Sequence, residues 1–165
     1  MSDKYEYNRK RRQKLYDYRK KGCYFVTLIT KERIPYFGRI KNGKMILNKA
    51  GLMARKYWQE IPEHYPHAKL DSFVIMPEHI HGIIIINECV HSKISSRDQW
   101  QAFWARSLSS IIRGYKTAVT KHYRYKDDYE FGWQKSYHDR ILRDENMLAL
   151  ARKYIAENPK HADDT

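Results

Sequence analysis

Two histidines one residue apart, His79-Ile80-His81, and a tyrosine four residues before an asparagine, Tyr154 and Asn158, are the side chains whose types and spacing could do chemistry together. Successive side chains on a strand point to opposite faces, so His79 and His81 project to one side and Ile80 to the other. Neutral imidazole is the commonest protein metal ligand. Two of them on a rigid strand can hold a divalent ion while leaving positions open for substrate oxygens. Tyr154 and Asn158 share one face of a helix, a turn apart. A tyrosine hydroxyl can attack a phosphodiester and form a covalent phosphotyrosine, provided something neutralises and orients the phosphate. A metal on His79 and His81 could do both, with the Asn158 amide oxygen as a third ligand. The blander alternative stays open at this level: a bare His-x-His occurs on ordinary half-buried strands, and Tyr154, one of 14 tyrosines, falls on an apolar stripe.

The elements that must position these groups follow from pattern. Cys23 to Thr30 is β-branched and aromatic and predicts a buried strand. Lys41-Asn42-Gly43-Lys44 between two short apolar runs predicts a small hairpin. Asn48 is placed to cap a helix through Ile61, closed by Pro62. Leu70 to Met76 and the histidine strand through Asn87 follow, separated by the tight Pro77-Glu78 break, where Glu78 reads as a turn residue pointing away from His79. Residues 88–106 read as a polar surface loop. The next helix carries Leu108, Ile111, Ile112, Tyr115, Ala118 and Val119 on one face and Arg113, Lys116 and Lys121 on the other. Gly114 inside it costs about 1 kcal/mol relative to alanine. Trp133 to Leu142 predicts the last strand, and Asp144 caps a final helix with Met147, Leu148, Leu150, Ala151, Tyr154 and Ile155 on its apolar stripe, ended by Pro159. His122 and His138 read as surface or packing residues.

Setting the small hairpin aside, the order is strand, helix, strand, strand, helix, strand and an extra helix. That is the α+β, ferredoxin-like βαββαβ arrangement, an antiparallel sheet with helices on one face and its first and third strands central. The extra C-terminal helix carries the tyrosine. Residues 1–22 read as a basic, flexible N-terminal arm with tyrosines among its cations, and residues 23–161 as one domain.

Composition narrows the partner. Lysine and arginine number 32 against 19 acidic residues, a formal charge of +13, which points to a polyanion. The 14 tyrosines and 4 tryptophans favour unstacked bases, hence single-stranded nucleic acid over a smooth duplex. Cys23 and Cys89 form no CxxC pair, which argues against a zinc knuckle or a disulfide framework and fits a reducing cytoplasm. No stretch has the run of about 18 apolar residues that a membrane helix needs, so no membrane partner is expected.

Four ordered blocks then carry a resemblance: Val74 to His81, Ser109 to Lys116, Trp133 to Arg143, and Tyr154 to Pro159. Together they resemble the single-tyrosine HUH transposases, and more narrowly the REP-associated tyrosine transposases, over about residues 22 to 161. The resemblance implies a ferredoxin-like endonuclease and strand transferase that acts on single-stranded DNA near hairpins through a 5′-phosphotyrosine. It implies a divalent ion, Mg2+ or Mn2+, and no nucleotide cofactor. By motif, His79 and His81 match the metal pair, Tyr154 the nucleophile and Asn158 a polar metal ligand. Arg140 stands where some members carry a histidine. Arg113, Lys116 and Lys121, with Arg11 and Arg12 of the arm, are candidate DNA contacts, and the working unit is a homodimer or a monomer. The rival class is a non-catalytic single-stranded nucleic-acid-binding module of the same fold, in which Tyr154 would be dispensable. A His-x-His oxygenase fits poorly, since no acidic third ligand stands at a suitable spacing.

Overall fold

The computed structural model describes residues 20–87, 107–124 and 130–162. Most of the predicted N-terminal arm, with Arg11 and Arg12, and residues 88–106, read above as a surface loop, lie outside them. The elements are β1 (Gly22–Ile29), β2 (Gly38–Lys41), β3 (Lys44–Leu47), α1 (Lys49–Gln59), α2 (Ile61–His64), β4 (Ala68–Ile75), β5 (His79–Ile86), α3 (Leu108–Arg124), β6 (His138–Leu142) and α4 (Glu145–Glu157). Four strands make an antiparallel sheet in the order β4-β5-β1-β6, while β2 and β3 form a separate hairpin. Counting only the sheet strands, the first and third are central, the ferredoxin-like order that the pattern predicts.

Alternation along the central strands builds two different faces. Tyr24, Val26 and Leu28 of β1 and Ile80, Ile84 and Ile86 of β5 are fully buried on one side, against Trp58 of α1 and Leu108, Ile111, Ile112, Tyr115 and Val119 of α3. Phe25, Ile83 and Leu142 face the other side, where only Leu148 and Ile155 of α4 are buried against them. The first face is the main core; the second is a thin apolar seam under one helix. Gly82 lies on the core side and is required there, because a Cβ would stand 2.2 Å from Cζ2 of Trp58.

Local chemistry sets the element ends. Asn42 and Gly43 take φ of 51° and 66°, the left-handed pair that joins β2 to β3 in a two-residue turn. Asn48 Oδ1 accepts from the Gly51 amide at 2.8 Å and Asp144 Oδ1 from the Met147 amide at 2.8 Å, each cap contributing about 1 kcal/mol. A bidentate pair, Arg152 Nε and Nη2 to the two Asp71 oxygens at 2.9 and 2.7 Å, ties α4 to β4.

The structure corrects several boundaries. Pro62 does not close α1: the helix ends at Gln59, and Pro62 sits in the first turn of α2, where its missing N–H has no partner to lose. The last strand begins at His138 rather than Trp133, which makes only a single bridge to Thr30. Leu150 of the predicted stripe is 68% exposed, because α4 rests on the sheet along a narrow line. Gly114 has a packing reason: a Cβ there would stand 2.2 Å from the Tyr65 hydroxyl, which donates to Ser110 O at 3.1 Å.

Candidate active site beneath the tyrosine helix

Register brings the functional side chains together. In the β1–β5 pair Thr27 lies opposite His81 and Ile29 opposite His79. Both histidines project to the α4 face, their ring centroids 4.6 Å apart, while Ile80 is fully buried on the core side. His81 is 6% exposed, and its Nδ1 lies 2.9 Å from Thr27 Oγ1. With Nδ1–H donating to that hydroxyl, the lone pair is on Nε2. The Tyr154 hydroxyl stands 3.5 Å from that nitrogen. Phe25 stacks on His81 at 5.3 Å and meets the Tyr154 ring edge-on at 6.0 Å, closing the apolar side of the cluster. Tyr154 itself is 46% exposed, unlike the apolar residues Leu148 and Ile155 of the same helix.

Electrostatics hold one imidazole of the pair, His81, in its neutral form. Burial, and after it the His79 and Arg33 charges, push the His81 imidazole down to about 3, so it stays neutral at any working pH. Glu78 does not point away from His79 as an alternating strand residue would. It lies in the turn before β5, and its Oε1 accepts from His79 Nδ1 at 2.8 Å, with Arg33 Nη1 at 3.6 Å. The hydrogen bond from His79 holds the Glu78 carboxyl below its usual range although the group is half-buried. Each imidazole therefore has Nδ1 engaged, and Nε2 of His81 faces the Tyr154 hydroxyl.

The remaining expected residues are spread more widely. Asn158 caps the C-terminal end of α4 one turn beyond Tyr154, in helical geometry although Pro159 follows; no hydrogen bond joins it to either imidazole among the described residues. Its turn, Asn158–Lys160, meets β3. Arg140 is exposed on β6 opposite Phe25, and His138 is exposed opposite Thr27, the next position across the sheet from His81. His122 packs edge-on against Tyr57. Arg113 and Lys121 line a groove of about 530 Å³ along the outer side of α3, with Arg124 and Lys135. Lys116 also lines it, but its ammonium donates to Gln134 O at 3.0 Å and Ser136 O at 2.7 Å, fastening the segment before β6 onto α3. Burial lowers its pKa to about 8.

Sequence pattern does not point to Thr27, Phe25 or Arg33, or to Glu78 as a partner of His79. Thr27 and Phe25 can be reached by pairing the first strand with the third and sliding the register until a hydroxyl meets His81. Glu78 carries no signal beyond its place in the turn.

The donor set fits a divalent ion incompletely. Two imidazoles project to one face, yet no group of three His, Cys, Asp or Glu side chains is clustered among the described residues. A pair of imidazoles with open positions is what an ion shared with water and substrate oxygens requires.

A REP-associated tyrosine transposase solved with a REP hairpin superposes with a TM-score of 0.54 at 18% identity, over 87% of this chain and 70% of that one. The two chains therefore share a fold, the antiparallel four-stranded sheet with helices described above. An uncharacterized protein of Haemophilus influenzae is 37% identical over 154 residues, 90% of this chain and 86% of its own length. The chain belongs to one family with that protein. No family model matches.

Proposed function

We propose that the protein is a metal-dependent single-stranded DNA endonuclease and strand transferase with Tyr154 as its nucleophile. The observation that carries this reading is the approach of the Tyr154 hydroxyl to Nε2 of a buried, neutral His81, 3.5 Å apart across two separate elements. Core packing alone would give a tyrosine an apolar slot, not a hydroxyl directed at one of two paired imidazoles.

In the reaction Tyr154 Oη attacks the scissile phosphorus and the P–O3′ bond breaks. The 5′ side stays on the enzyme as a phosphotyrosine, the phenolic proton passes to water, and the departing 3′ oxygen takes up a proton as a 3′-hydroxyl. A second 3′-hydroxyl reverses the step and joins strands. His79 and His81 would hold the divalent ion, Mg2+ or Mn2+, with Asn158 as an oxygen donor. The ion, when bound, supplies charge neutralisation at the non-bridging oxygens. Thr27 fixes the His81 ring, Phe25 shields it from water, and α4, held by Leu148, Ile155 and the Asp71–Arg152 pair, sets the tyrosine's height above the sheet.

The groove along α3 supports contacts to the DNA backbone through Arg113 and Lys121, with Arg11 and Arg12 of the arm as further contacts. A hairpin substrate is favoured by the shared fold with a transposase that was solved on a REP hairpin. The experiment is strand cleavage: labelled single-stranded DNA hairpins are incubated with protein and Mn2+, and the products are separated on denaturing gels. Cleavage that yields a free 3′-hydroxyl and disappears in His79→Ala and His81→Ala supports the reading. Tight binding with no cleavage across several hairpins would replace it with a non-catalytic single-strand-binding module.

A further inference from the structure

Glu78 and the turn that holds it are outside the set of groups that would touch metal or DNA, and their geometry is specific. The Glu78 carbonyl is gripped twice by Thr30, through the amide and through Oγ1, each at 2.9 Å. Thr30 Oγ1 lies at the same time 2.8 Å from Ile34 O, which closes the Lys31–Arg33 turn. That turn carries φ of 55° at Glu32 and 57° at Arg33, left-handed values that side-chain-bearing residues rarely adopt. Its result is to aim Arg33 at the Glu78 carboxylate, 3.6 Å away. Glu78 Oε1 in turn takes the Nδ1–H of His79 at 2.8 Å.

A neutral imidazole can carry its proton on either nitrogen, and only the unprotonated one can ligate. A carboxylate acceptor fixed at Nδ1 keeps the proton there, leaves the lone pair on Nε2 and stops the ring turning about its Cβ–Cγ bond. His81 has a partner at the same nitrogen in Thr27, but that partner is a hydroxyl on a central strand, which can either donate or accept. His79, at the first position of β5 and nearer solvent, needs a stronger and better anchored acceptor.

We propose that Glu78 is a positioning residue that sets the tautomer and ring orientation of His79, and that the strained Lys31–Arg33 turn exists to hold Glu78 in place. This rests on the reading of His79 and His81 as a metal pair. It goes beyond that reading by naming what makes one half of the pair competent before any metal arrives.

The test uses the full chain and two independent readouts: the His79 imidazole 15N shifts without metal, and the affinity for Mn2+ alone. In the parent protein the shifts should place the proton on Nδ1. Glu78→Ala should move His79 toward the Nε2–H form and weaken Mn2+ binding about 10- to 100-fold, the usual cost of losing such a partner. Glu78→Gln, whose amide oxygen can still accept from Nδ1–H, should keep the Nδ1–H form and recover most of the affinity. A folded Glu78→Ala protein with parental shifts and parental Mn2+ affinity would overturn the proposal, and so would Gln and Ala variants equally impaired. His79→Ala and His81→Ala separate the two levels. If they bind Mn2+ as the parent does, the metal reading itself fails; if they lose it while Glu78→Ala does not, only the positioning role fails.

Discussion

The strand that carries His81 leaves no room beneath it, and this gives a sharp stability prediction. Gly82 follows His81 in β5 and faces the core, where Trp58 lies across it with no exposure to solvent. A methyl group at residue 82 would stand 2.2 Å from Cζ2 and 3.0 Å from Cε2 and Cη2 of that ring, against ordinary contacts of 3.4 Å or more. Something must move by about an ångström. On one side is the central strand, paired to β1 and β4; on the other is a ring wedged between Phe73 and Tyr115, with centroids 5.9 and 5.0 Å away. Overpacking of this kind costs about 1–3 kcal/mol, and the gain from replacing a strand glycine returns only about 0.5 kcal/mol. Gly82→Ala should therefore lose about 2 kcal/mol, or roughly 4–8 °C in melting temperature for a chain of this size. Trp58→Phe removes the atoms in conflict and should itself cost about 1–2 kcal/mol through the cavity it leaves. In the double variant the methyl fills part of that space, so the two costs should fall short of their sum by about 1 kcal/mol or more. Thermal melts followed by circular dichroism on the four proteins close the cycle. Additive costs, or a Gly82→Ala protein as stable as the parent, would refute the packing argument.

Gly114→Ala alone should destabilise α3 although alanine is the better helix former, because the Tyr65 hydroxyl occupies the site of the methyl; in a Tyr65→Phe background the same change should stabilise by up to about 1 kcal/mol in urea melts. Arg152 holds the Asp71 carboxyl down to about 2, so this pair's contribution is fully present above about pH 4 and is lost as pH falls through 2; Asp71→Asn should flatten that part of the acid-unfolding profile followed by circular dichroism. Replacing Arg113 and Lys121 together should lower the salt slope of single-strand binding by about 0.7 for each phosphate no longer neutralised, measured by anisotropy across a salt titration; an unchanged slope would remove the α3 groove from the DNA path.

Much of the fold can be read from local chemistry. The Asn42-Gly43 turn, the Asn48 and Asp144 caps and the two β-branched runs around Pro77-Glu78 each settle a boundary with a few neighbouring atoms, and those atoms lie within the same short stretch. The order of elements follows from them, and with it the placing of the histidine strand mid-sheet. What stays hidden depends on partners far apart in sequence. Thr27 is 54 residues from the histidine it orients, and only the β1–β5 register sets them opposite each other. Glu78 breaks the alternation rule because it belongs to a turn gripped by Thr30, not to the strand that follows. Trp133 resembles a strand residue by type, but the Lys116 ammonium fastens the Gln134–Ser136 backbone to α3, and regular pairing starts only at His138. Leu150 lies on the apolar stripe by spacing, yet α4 offers the sheet too narrow a contact to cover it. The spacing of Tyr154 and Asn158 is plain in the sequence; that the tyrosine's hydroxyl, and no hydrogen bond from Asn158, reaches His81 is visible only in three dimensions.

The most direct measurement is of the covalent bond itself. Parent protein and Tyr154→Phe are each incubated with a single-stranded DNA hairpin and Mn2+, digested with a nuclease and trypsin, and the nucleotide-bearing peptide is located by mass spectrometry. One adduct is expected, on the peptide containing Tyr154, formed only with the divalent ion and absent from Tyr154→Phe. An adduct that persists in Tyr154→Phe, or that maps to another of the tyrosines, would contradict Tyr154 as the nucleophile.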